Sequence, residues 1–315
     1  MSSPLKHEIE LIGAPCDAGA GRPGARLGPG ALRAAGLVAS LQAQGCAVHD
    51  AGDLDGPSAP VPTLAGGYRN LAQVTAWNRT VHDAVTLALG RCRLPLLLGG
   101  DHSLAIGSIS AVARHCRARG QPLRVLWFDA HADCNSRRTS PSANLHGMPV
   151  ACLRGVGPAE LTGLGSRVPA LATSELRLIG VRSVDPGEAQ LVHRLGLAVS
   201  GMDALRTEGA DAVMARALED LPTNAHLHVS LDLDFLDPEV APGTGTVVAG
   251  GASLVQALQC LQWIARCGRL GSVDVVELNP TLDRDQRTTR HAIDLIGALL
   301  GAGQVRRASG DLGRT

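Results

Sequence analysis

The sequence LRVLWFDAHAD, residues 123–133, joins an apolar run to three potential metal ligands. The apolar residues Leu123–Phe128 predict a buried strand of a parallel sheet, because strands covered on both faces are continuously apolar. Asp129, His131 and Asp133 follow at positions i, i+2 and i+4, and in extended chain that spacing directs all three side chains to one side. Unpaired buried charge costs several kcal/mol, so such a group is not placed there for stability. We therefore expect a cation among these side chains.

Outside this stretch, apolar runs of strand length alternate with segments of helical periodicity. The predicted strands are Glu8–Gly13, Ala47–Asp50, Leu94–Leu98, Leu123–Phe128, Leu176–Gly180, Leu197–Ser200, Leu227–Leu231 and Ser272–Val276. The predicted helices are Leu32–Gln44, Leu71–Leu89, Ala105–Arg119, Ala204–Leu221, Leu254–Ala265 and Ala292–Leu300. This alternation predicts a three-layer α/β/α fold with one mostly parallel, about eight-stranded sheet and ligands at the carboxyl ends of its strands. We expect a single domain over residues 1–315, ending in a flexible tail at 304–315.

Composition and charge exclude several classes of protein. The 315 residues contain 29 basic and 29 acidic side chains, whereas dedicated binders of nucleic acid or membrane surfaces normally show a basic excess. The eight cysteines include no C-x-x-C pair and are interpreted as reduced thiols. The N-terminal residues lack the apolar segment of a secretory signal, and no apolar run approaches the length needed to cross a bilayer. We expect a soluble cytoplasmic protein.

The glycine-rich stretch Gly19-Ala20-Gly21-Arg22-Pro23-Gly24 matches the G-x-G-x-x-G pattern of dinucleotide-binding folds. Its first glycine lies several residues beyond the predicted strand, and Pro29 interrupts the start of the following helix. We therefore interpret the stretch as a plain flexible loop. The segments Gly19–Gly30 and Gly56–Gly67 are both predicted to be surface loops.

Four of the apolar runs end in candidate ligands. Each such carboxylate on its own is equally well explained as a turn or helix-capping residue, but four at the ends of strands favour one shared site. The four stretches are Gly99-Gly100-Asp101-His102, Asp129–Asp133, Asp232-Leu233-Asp234 and Glu277-Leu278-Asn279-Pro280.

The charge of the candidate ligands indicates a site for two divalent ions. Two such ions neutralise four carboxylates, while two imidazoles add neutral nitrogen ligands. Oxygen-rich ligation with some imidazole favours manganese over zinc, and magnesium usually avoids such an all-protein cage. Two ions ~3.5–4 Å apart lower the pKa of a shared water and clamp the atom it attacks, which predicts hydrolysis of a cationic substrate by a bridging hydroxide. The six candidate ligands are His102, Asp129, His131, Asp133, Asp232 and Asp234.

At these residues the chain resembles the ureohydrolase family, and in particular the bacterial-type arginases. The matching motifs are GGDH at 99–102, DAHAD at 129–133, SLDLD at 230–234, DP at 237–238, ELNP at 277–280 and IGAP at 12–15. They keep the order of the family and cover nearly the whole chain. Arginases are also matched by Asn135, by the loop SANLHG at 142–147 and by DPGE at 185–188.

This resemblance implies two Mn²⁺ per chain and assigns the ligands to each ion. One ion would be held by His102, Asp129, Asp133 and Asp232, and the other by His131, Asp129, Asp232 and Asp234. Asp129 and Asp232 would bridge the two ions. The family also implies a homotrimer or homohexamer.

The resemblance further implies L-arginine as the substrate, with L-ornithine and urea as products. Asn135 and Ser142 match positions that hold the α-carboxylate of the substrate, with Asn144 nearby, and Asp185 matches the residue that faces the α-amino group. Thr246 is a further candidate contact with the substrate.

Three residues are candidates for the chemistry itself. Glu277 is not a metal ligand, and its carboxylate can pair with the planar guanidinium in a bidentate fork. Asp133, beside the attacking hydroxide, can pass a proton to the departing amine. His146 can relay protons to and from solvent, because the unperturbed pKa of histidine is near ~6.5.

Two departures from the arginase pattern concern the loop at the amino-acid end of the site. Ala143 stands where arginases often have glycine, which could stiffen or shift the loop. Arg137-Arg138 adds positive charge, interpreted as a solvated surface pair, with steering of the substrate carboxylate as the alternative.

Three other functions are compatible with parts of the pattern. The first is an agmatinase, guanidinobutyrase or other guanidino-acid hydrolase, which the metal motifs alone do not exclude. The second is a non-catalytic regulatory protein on the same scaffold, which the complete set of candidate ligands disfavours. The third is a single-zinc, deacetylase-like enzyme, for which six ligand positions are too many.

Overall fold

The computed structural model describes residues 8–57 and 63–301 and contains a central eight-stranded parallel sheet. Its strands lie in the order β2-β1-β5-β10-β9-β6-β7-β8, and a two-stranded antiparallel hairpin pairs β3 with β4. The strands are β1 (Glu8–Ala14), β2 (Ala47–Asp53), β3 (Leu64–Ala65), β4 (Tyr68–Arg69), β5 (Leu94–Gly99), β6 (Leu123–Phe128), β7 (Leu176–Ile179), β8 (Ala198–Ser200), β9 (His226–Asp232) and β10 (Leu270–Val276). The prediction of an α/β fold with a parallel sheet of eight strands is confirmed.

Helices cover both faces of the sheet. They are α1 (Gly28–Ala34), α2 (Leu37–Ala43), α3 (Leu71–Gly90), α4 (Ala105–Ala118), α5 (Pro149–Leu153), α6 (Ala159–Thr162), α7 (Pro186–Arg194), α8 (Met202–Thr207), α9 (Gly209–Ala217), α10 (Leu254–Cys267) and α11 (Arg287–Leu299). Alternate residues of β5 and β6 enter two separate hydrophobic cores, for example Leu126 in one and Val125 and Trp127 in the other, whereas β9 and β10 contribute apolar residues only to the first. This burial on both faces explains why β5 and β6 are almost continuously apolar.

The four strands that end in candidate ligands are neighbours in the sheet, in the order β5-β10-β9-β6. All four are parallel, so their carboxyl ends lie at the same edge. Chain segments far apart in sequence therefore deliver their polar residues to one place, as expected for a sheet of this type.

Two predicted helices are each divided into two. The segment predicted as one helix at Leu32–Gln44 forms α1 and α2, separated by Gly36 with φ of 91°. The segment Ala204–Leu221 forms α8 and α9, separated near Gly209 with φ of 85°. The apolar periodicity continues across both breaks, so it does not reveal them, whereas a glycine in the left-handed conformation ends the helical hydrogen-bond pattern.

The start of α1 was predicted incorrectly. Pro29 lies in the first turn of α1 and begins that helix rather than interrupting it, because the first turn needs no amide donor there. Residues 19–24 form a loop, as predicted, and this loop is held at Gly19, whose amide donates to the buried Asp101 carboxylate at 2.8 Å.

Some short helices and strands were not predicted from the sequence. The helices α5, α6 and α7 are too short for a clear periodicity, although Asp185-Pro186 and Glu188 carry a recognisable helix-start signal. The segment predicted as a surface loop at Gly56–Gly67 includes β3, and its residues 58–62 lie outside the described part of the chain. The predicted tail at 304–315 also lies outside it. Among the described helices, none has both the length and the apolar character needed to cross a membrane.

The helix break at Gly36 can be tested by a pair of glycine substitutions. Gly36→Ala should lower the free energy of unfolding by ~1–2 kcal/mol, because its left-handed φ is costly for alanine even though no atom obstructs a Cβ there. Gly30→Ala is the matched control inside α1, in open space and without a positive φ, and should raise stability by ~0.4–1 kcal/mol. Urea unfolding checks both values. A stabilising Gly36→Ala would contradict the described break.

Candidate active site

His102 faces three carboxylates at the carboxyl end of the sheet. Its Nδ1 lies 3.1 Å from Asp129 Oδ2, 3.1 Å from Asp133 Oδ2 and 3.2 Å from Asp232 Oδ2. His102 Nδ1 and Asp133 Oδ2 are buried and have no hydrogen-bond partner within the described residues. Buried polar atoms are nearly always satisfied, so these two fit a bound cation as their common partner.

A second group of ligand atoms surrounds His131. Its Nδ1 lies 3.3 Å from Asp129 Oδ1 and 3.2 Å from Asp234 Oδ2. Asp129 therefore turns one carboxylate oxygen to each histidine and belongs to both groups. Two sets of nitrogen and oxygen atoms that share one carboxylate fit two divalent cations side by side.

Two residues that the sequence analysis did not single out hold His102 in place. Ser230 Oγ lies 2.9 Å from His102 Nε2, and the Trp127 ring stacks on the imidazole with centroids 4.1 Å apart. The Trp127 indole also donates to Asp129 Oδ2 at 3.0 Å. Contacts of this kind orient metal-binding histidines and carboxylates. Their position was a usable signal, because Trp127 and Ser230 each precede a candidate ligand by two residues on the same strand face.

Asp234 lies in the loop after β9 and is held by contacts from Ala130, Thr246 and Arg182. The amide of Ala130 donates to Asp234 Oδ1 at 3.1 Å, and the Thr246 hydroxyl donates to Asp234 Oδ2 at 3.0 Å. The Arg182 guanidinium donates to the Asp234 carbonyl at 2.7 Å and to the Val248 carbonyl at 2.8 Å. Thr246, a candidate substrate contact from the sequence, thus lines the cavity while hydrogen-bonded to Asp234.

Three site residues have a left-handed backbone that is unfavourable for side chains with a Cβ. They are Asp133 with φ of 47°, Ala143 with φ of 60° and Glu277 with φ of 65°. The sequence analysis placed Asp133 in extended chain, and this is wrong, because its side chain reaches the site through a turn. Strained conformations of ~1–3 kcal/mol each are characteristic of functional sites.

Burial and mutual repulsion shift the pKa values of the carboxyl groups. Burial and the neighbouring Asp129 raise the pKa of Asp133 to about 7. Burial and Asp234 raise that of Asp232 well above its usual range. Burial would also raise the pKa of Asp129, but hydrogen bonds with His102 and His131 lower it. A bound cation would relieve this repulsion.

The buried Glu277 and the partly buried His146 form a pair next to the ligand groups. His146 Nδ1 lies 2.9 Å from Glu277 Oε1, which also accepts the His102 amide at 2.9 Å. Burial by itself would lower the pKa of His146, but the Glu277 charge outweighs burial and raises it to about 9. Burial opposes ionisation of Glu277, and the charge of His146 overcomes it and lowers the pKa of Glu277.

A cavity of about 260 Å³ opens onto the ligand groups. Asn135 donates its side-chain amide to Asp185 Oδ2 at 3.0 Å, so these two residues form one hydrogen-bonded unit in the wall. Glu188 also lines the cavity, where it accepts the amide of Cys134 at 2.8 Å. Glu277 contacts the lining residue His146, and Asp129, Asp234 and Glu277 are not themselves among the lining residues. Of the predicted site residues, the lining includes His102, His131, Asp133, Asn135, Ser142, Asn144, His146, Asp185, Asp232 and Thr246.

Comparison with known proteins identifies the family of this chain. The model of the family described as "Arginase family" matches residues 7–301. This chain belongs to the arginase family. The match leaves only the first six residues and the last 14 of the 315 outside it.

Individual members of the arginase family are similar over nearly their full lengths. An arginase of Brevibacillus brevis is 38% identical over 298 residues, which cover 94% of this chain and 99% of that protein. The crystal structure of the arginase of Bacillus caldovelox is 38% identical, with a TM-score of 0.88, and the match covers 94% of this chain and 98% of that one. A hypothetical agmatinase of Burkholderia thailandensis is more distant, at 27% identity and a TM-score of 0.70.

The His146–Glu277 pair predicts a dependence of stability on pH in protein freed of metal by a chelator. The folded-state pKa of His146 is raised from 6.5 to about 9, so its stabilising effect is fully present below pH 6.5 and is lost as pH rises through 9. The difference in unfolding free energy between the unmodified protein and His146→Asn should therefore shrink between pH 7 and pH 10. Urea titrations at the two pH values measure it. A constant difference would show that the pair is not charged.

Proposed function

We propose that this chain hydrolyses the guanidinium group of L-arginine to L-ornithine and urea. The observation that carries the proposal is one cavity that combines groups of metal-ligand atoms with a polar wall. Two histidine–aspartate groups that share Asp129 contribute His102, His131 and Asp133 to its lining. Asn135, Ser142 and Asp185 form a polar wall suited to an amino acid. Relatives named arginase at 37–38% identity over most of the chain support it.

The ligand atoms suit two manganese ions per chain. His102, Asp129, Asp133 and Asp232 would hold one ion, and His131, Asp129, Asp232 and Asp234 would hold the other. Carboxylate oxygens with one imidazole nitrogen in each set favour manganese over the softer transition metals. When bound, the two ions supply a nucleophile derived from water at neutral pH and a positive field at the atom under attack.

Glu277 is the residue proposed to orient the guanidinium. Its carboxylate is buried and ionised, so it can accept two parallel hydrogen bonds from a planar cation. The guanidinium would then share Glu277 with His146, and the second positive charge would lower the pKa of His146 from its raised value. His146 would thereby release its proton at the moment the substrate is in place, as a relay between the site and solvent requires.

Asp133 is proposed to supply the proton that the departing amine needs. Its Oδ2 is buried, lacks a hydrogen-bond partner within the described residues and lies beside the other ligand atoms, where a water-derived proton would be released. The departing amine of ornithine needs a proton to leave, and a positioned carboxyl group can supply it.

The cavity wall is proposed to select arginine over agmatine. Both substrates carry a guanidinium, but only arginine has an α-carboxylate to accept hydrogen bonds from Asn135 and Ser142, with Asn144 nearby. The amide of Asn135 also donates to Asp185, which would place Asp185 opposite the α-amino group. This wall favours arginine hydrolysis over an agmatinase or guanidinobutyrase activity. The complete ligand set disfavours both a silent regulatory role and a single zinc.

We also infer the domain organisation, the location and the assembly of the protein. We infer one domain, because one sheet runs through both described ranges. A cytoplasmic location is supported by eight cysteines that are all free thiols. Assembly into a homotrimer or homohexamer is inferred from family membership alone.

The shared carboxylate of Asp129 gives a test of the metal site. Manganese-loaded protein should contain close to two ions per chain. Asp129→Asn should lose most of both, because it removes a charge from each group, whereas His131→Asn should keep about one. Asp203→Asn, at a remote and exposed position, is the control and should keep both. Elemental analysis after removal of free metal measures the content. One tightly held zinc per chain would contradict the two-ion proposal.

The cavity wall gives a test of the substrate. Hydrogen bonds to a charged group contribute ~1.5–3 kcal/mol each, so kcat/KM for L-arginine should exceed that for agmatine by at least about a hundredfold. The double change Asn135→Ala with Ser142→Ala should close most of this gap by damaging arginine turnover. Asn224→Ala with Ser174→Ala, both at exposed positions, is the matched control. Urea release measures the rates, and comparable rates on both substrates in the unmodified protein would overturn the assignment to arginine.

A further inference from the structure

The glycine-rich stretch at residues 19–24, here called the glycine clamp, contacts three of the segments that carry the site. Its glycines meet Asp101 and Ser103 after β5, Asn144 in the loop after β6, and Asn279 after β10. A Cβ on Gly19, Gly21 or Gly24 would lie 2.6, 2.6 or 2.3 Å from those side chains. The absence of a side chain at these positions therefore serves close packing against the site.

Gly19 connects a buried carboxylate to His146. Its amide donates to Asp101 Oδ2 at 2.8 Å, and its carbonyl accepts the amide of His146 at 3.1 Å. A Cβ here would lie 2.6 Å from Ser103 Oγ and 2.7 Å from Asp101 Oδ1. Both side chains are fully buried, so neither can move aside and the Gly19 backbone would have to shift instead.

Gly21 and Gly24 make the other two contacts of the clamp. A Cβ on Gly21 would lie 2.6 Å from Asn144 Nδ2, the movable end of a half-buried side chain. Gly24 has φ of 126° and packs on the amide of Asn279, which donates to the Pro23 carbonyl at 3.1 Å. Asn279 lies two residues beyond Glu277, so the clamp touches the segments of both His146 and Glu277.

We propose that the glycine clamp is a positioning element, in which Gly19 holds His146 against Glu277 and Gly21 sets the carboxamide of Asn144. The His146 backbone is fixed by the Gly19 carbonyl while its ring is fixed by Glu277, so the ring position depends on both. Gly21 limits where the Asn144 carboxamide can lie in the wall that faces the α-carboxylate. The inference rests on the proposed function and assigns separate effects to two neighbouring glycines.

The effect expected at Gly19 is on turnover. Gly19→Ala should lower kcat ~10–100-fold with little change in KM, since a misplacement near 1 Å can cost about a hundredfold. Manganese content should be unchanged, because the hydrogen bonds of Gly19 go to Asp101 and His146, which are not among the six proposed ligands.

A double-mutant comparison separates positioning from a general structural defect. Gly19→Ala is measured both alone and together with His146→Asn. Since Gly19 acts through His146, Gly19→Ala should change kcat by less than about twofold once His146 is replaced. The same loss of rate on both backgrounds would overturn the role assigned to Gly19.

Gly21→Ala is the milder second variant, because only a movable carboxamide has to shift. It should lower kcat/KM for arginine roughly tenfold and change that for agmatine by less than about twofold, since agmatine lacks the carboxylate. The rise in Tm on adding ornithine to manganese-loaded protein should also become smaller. Equal loss on both substrates, or no loss on either, would overturn the role assigned to Gly21.

Gly30→Ala is the control for both variants, because Gly30 is exposed in α1 and has open space around it. It should leave both rates unchanged. If Gly19→Ala fails to fold, the Gly21→Ala result decides on the clamp. Failure of the unmodified protein to release urea from arginine would refute the proposed function, whereas additive effects in an active protein would refute only the clamp.

Discussion

Electrostatic repulsion among four buried carboxylates is the constraint on which the rest of this structure depends. Asp129, Asp133, Asp232 and Asp234 are all less than 7% exposed, and their oxygens converge on two histidines. Removing an unpaired charge from water costs several kcal/mol, and like charges at short range add to this cost. The raised pKa values of Asp133, Asp232 and Asp234 express the same conflict. Divalent cations resolve it, which is why an arrangement that is unfavourable by itself suits a metal centre.

The sheet supplies the means of holding these groups together. Four adjacent parallel strands end at one edge, and apolar side chains of each strand pack into the hydrophobic cores of the protein. The strand ends therefore cannot move apart to relieve the repulsion, since that would expose core residues such as Leu98, Phe128 and Leu231. The left-handed backbone at Asp133 and Glu277 is a second unfavourable feature that the surrounding packing maintains. The free energy of metal binding and the free energy of folding are therefore coupled at these carboxylates.

Sequence alone predicts the parts of this structure that depend on local pattern. All eight strands of the central sheet were located. In β5 and β6 continuous burial leaves a readable apolar run, and the candidate ligands follow directly from the strand ends. The breaks at Gly36 and Gly209 were missed, because hydrophobic periodicity carries no information about the sign of φ. The stacking of Trp127 on His102 and the contact of Ser230 with His102 were missed as well. The position of Trp127 and Ser230 on the ligand-bearing strand faces is readable from the sequence, but only the order of strands in the sheet brings them to His102. The packing of Gly19 on Asp101 was missed for the same reason.

The central claim is that two histidine–aspartate groups sharing Asp129 hold two cations, and anomalous X-ray diffraction tests it most directly. Data collected above and below the manganese edge, on crystals of manganese-loaded protein, locate each ion without reference to activity. The account predicts two manganese peaks ~3.5–4 Å apart, one beside Nδ1 of His102 and the other beside Nδ1 of His131, with Asp129 contacting both. A single peak, or two peaks of which only one contacts Asp129, would contradict it.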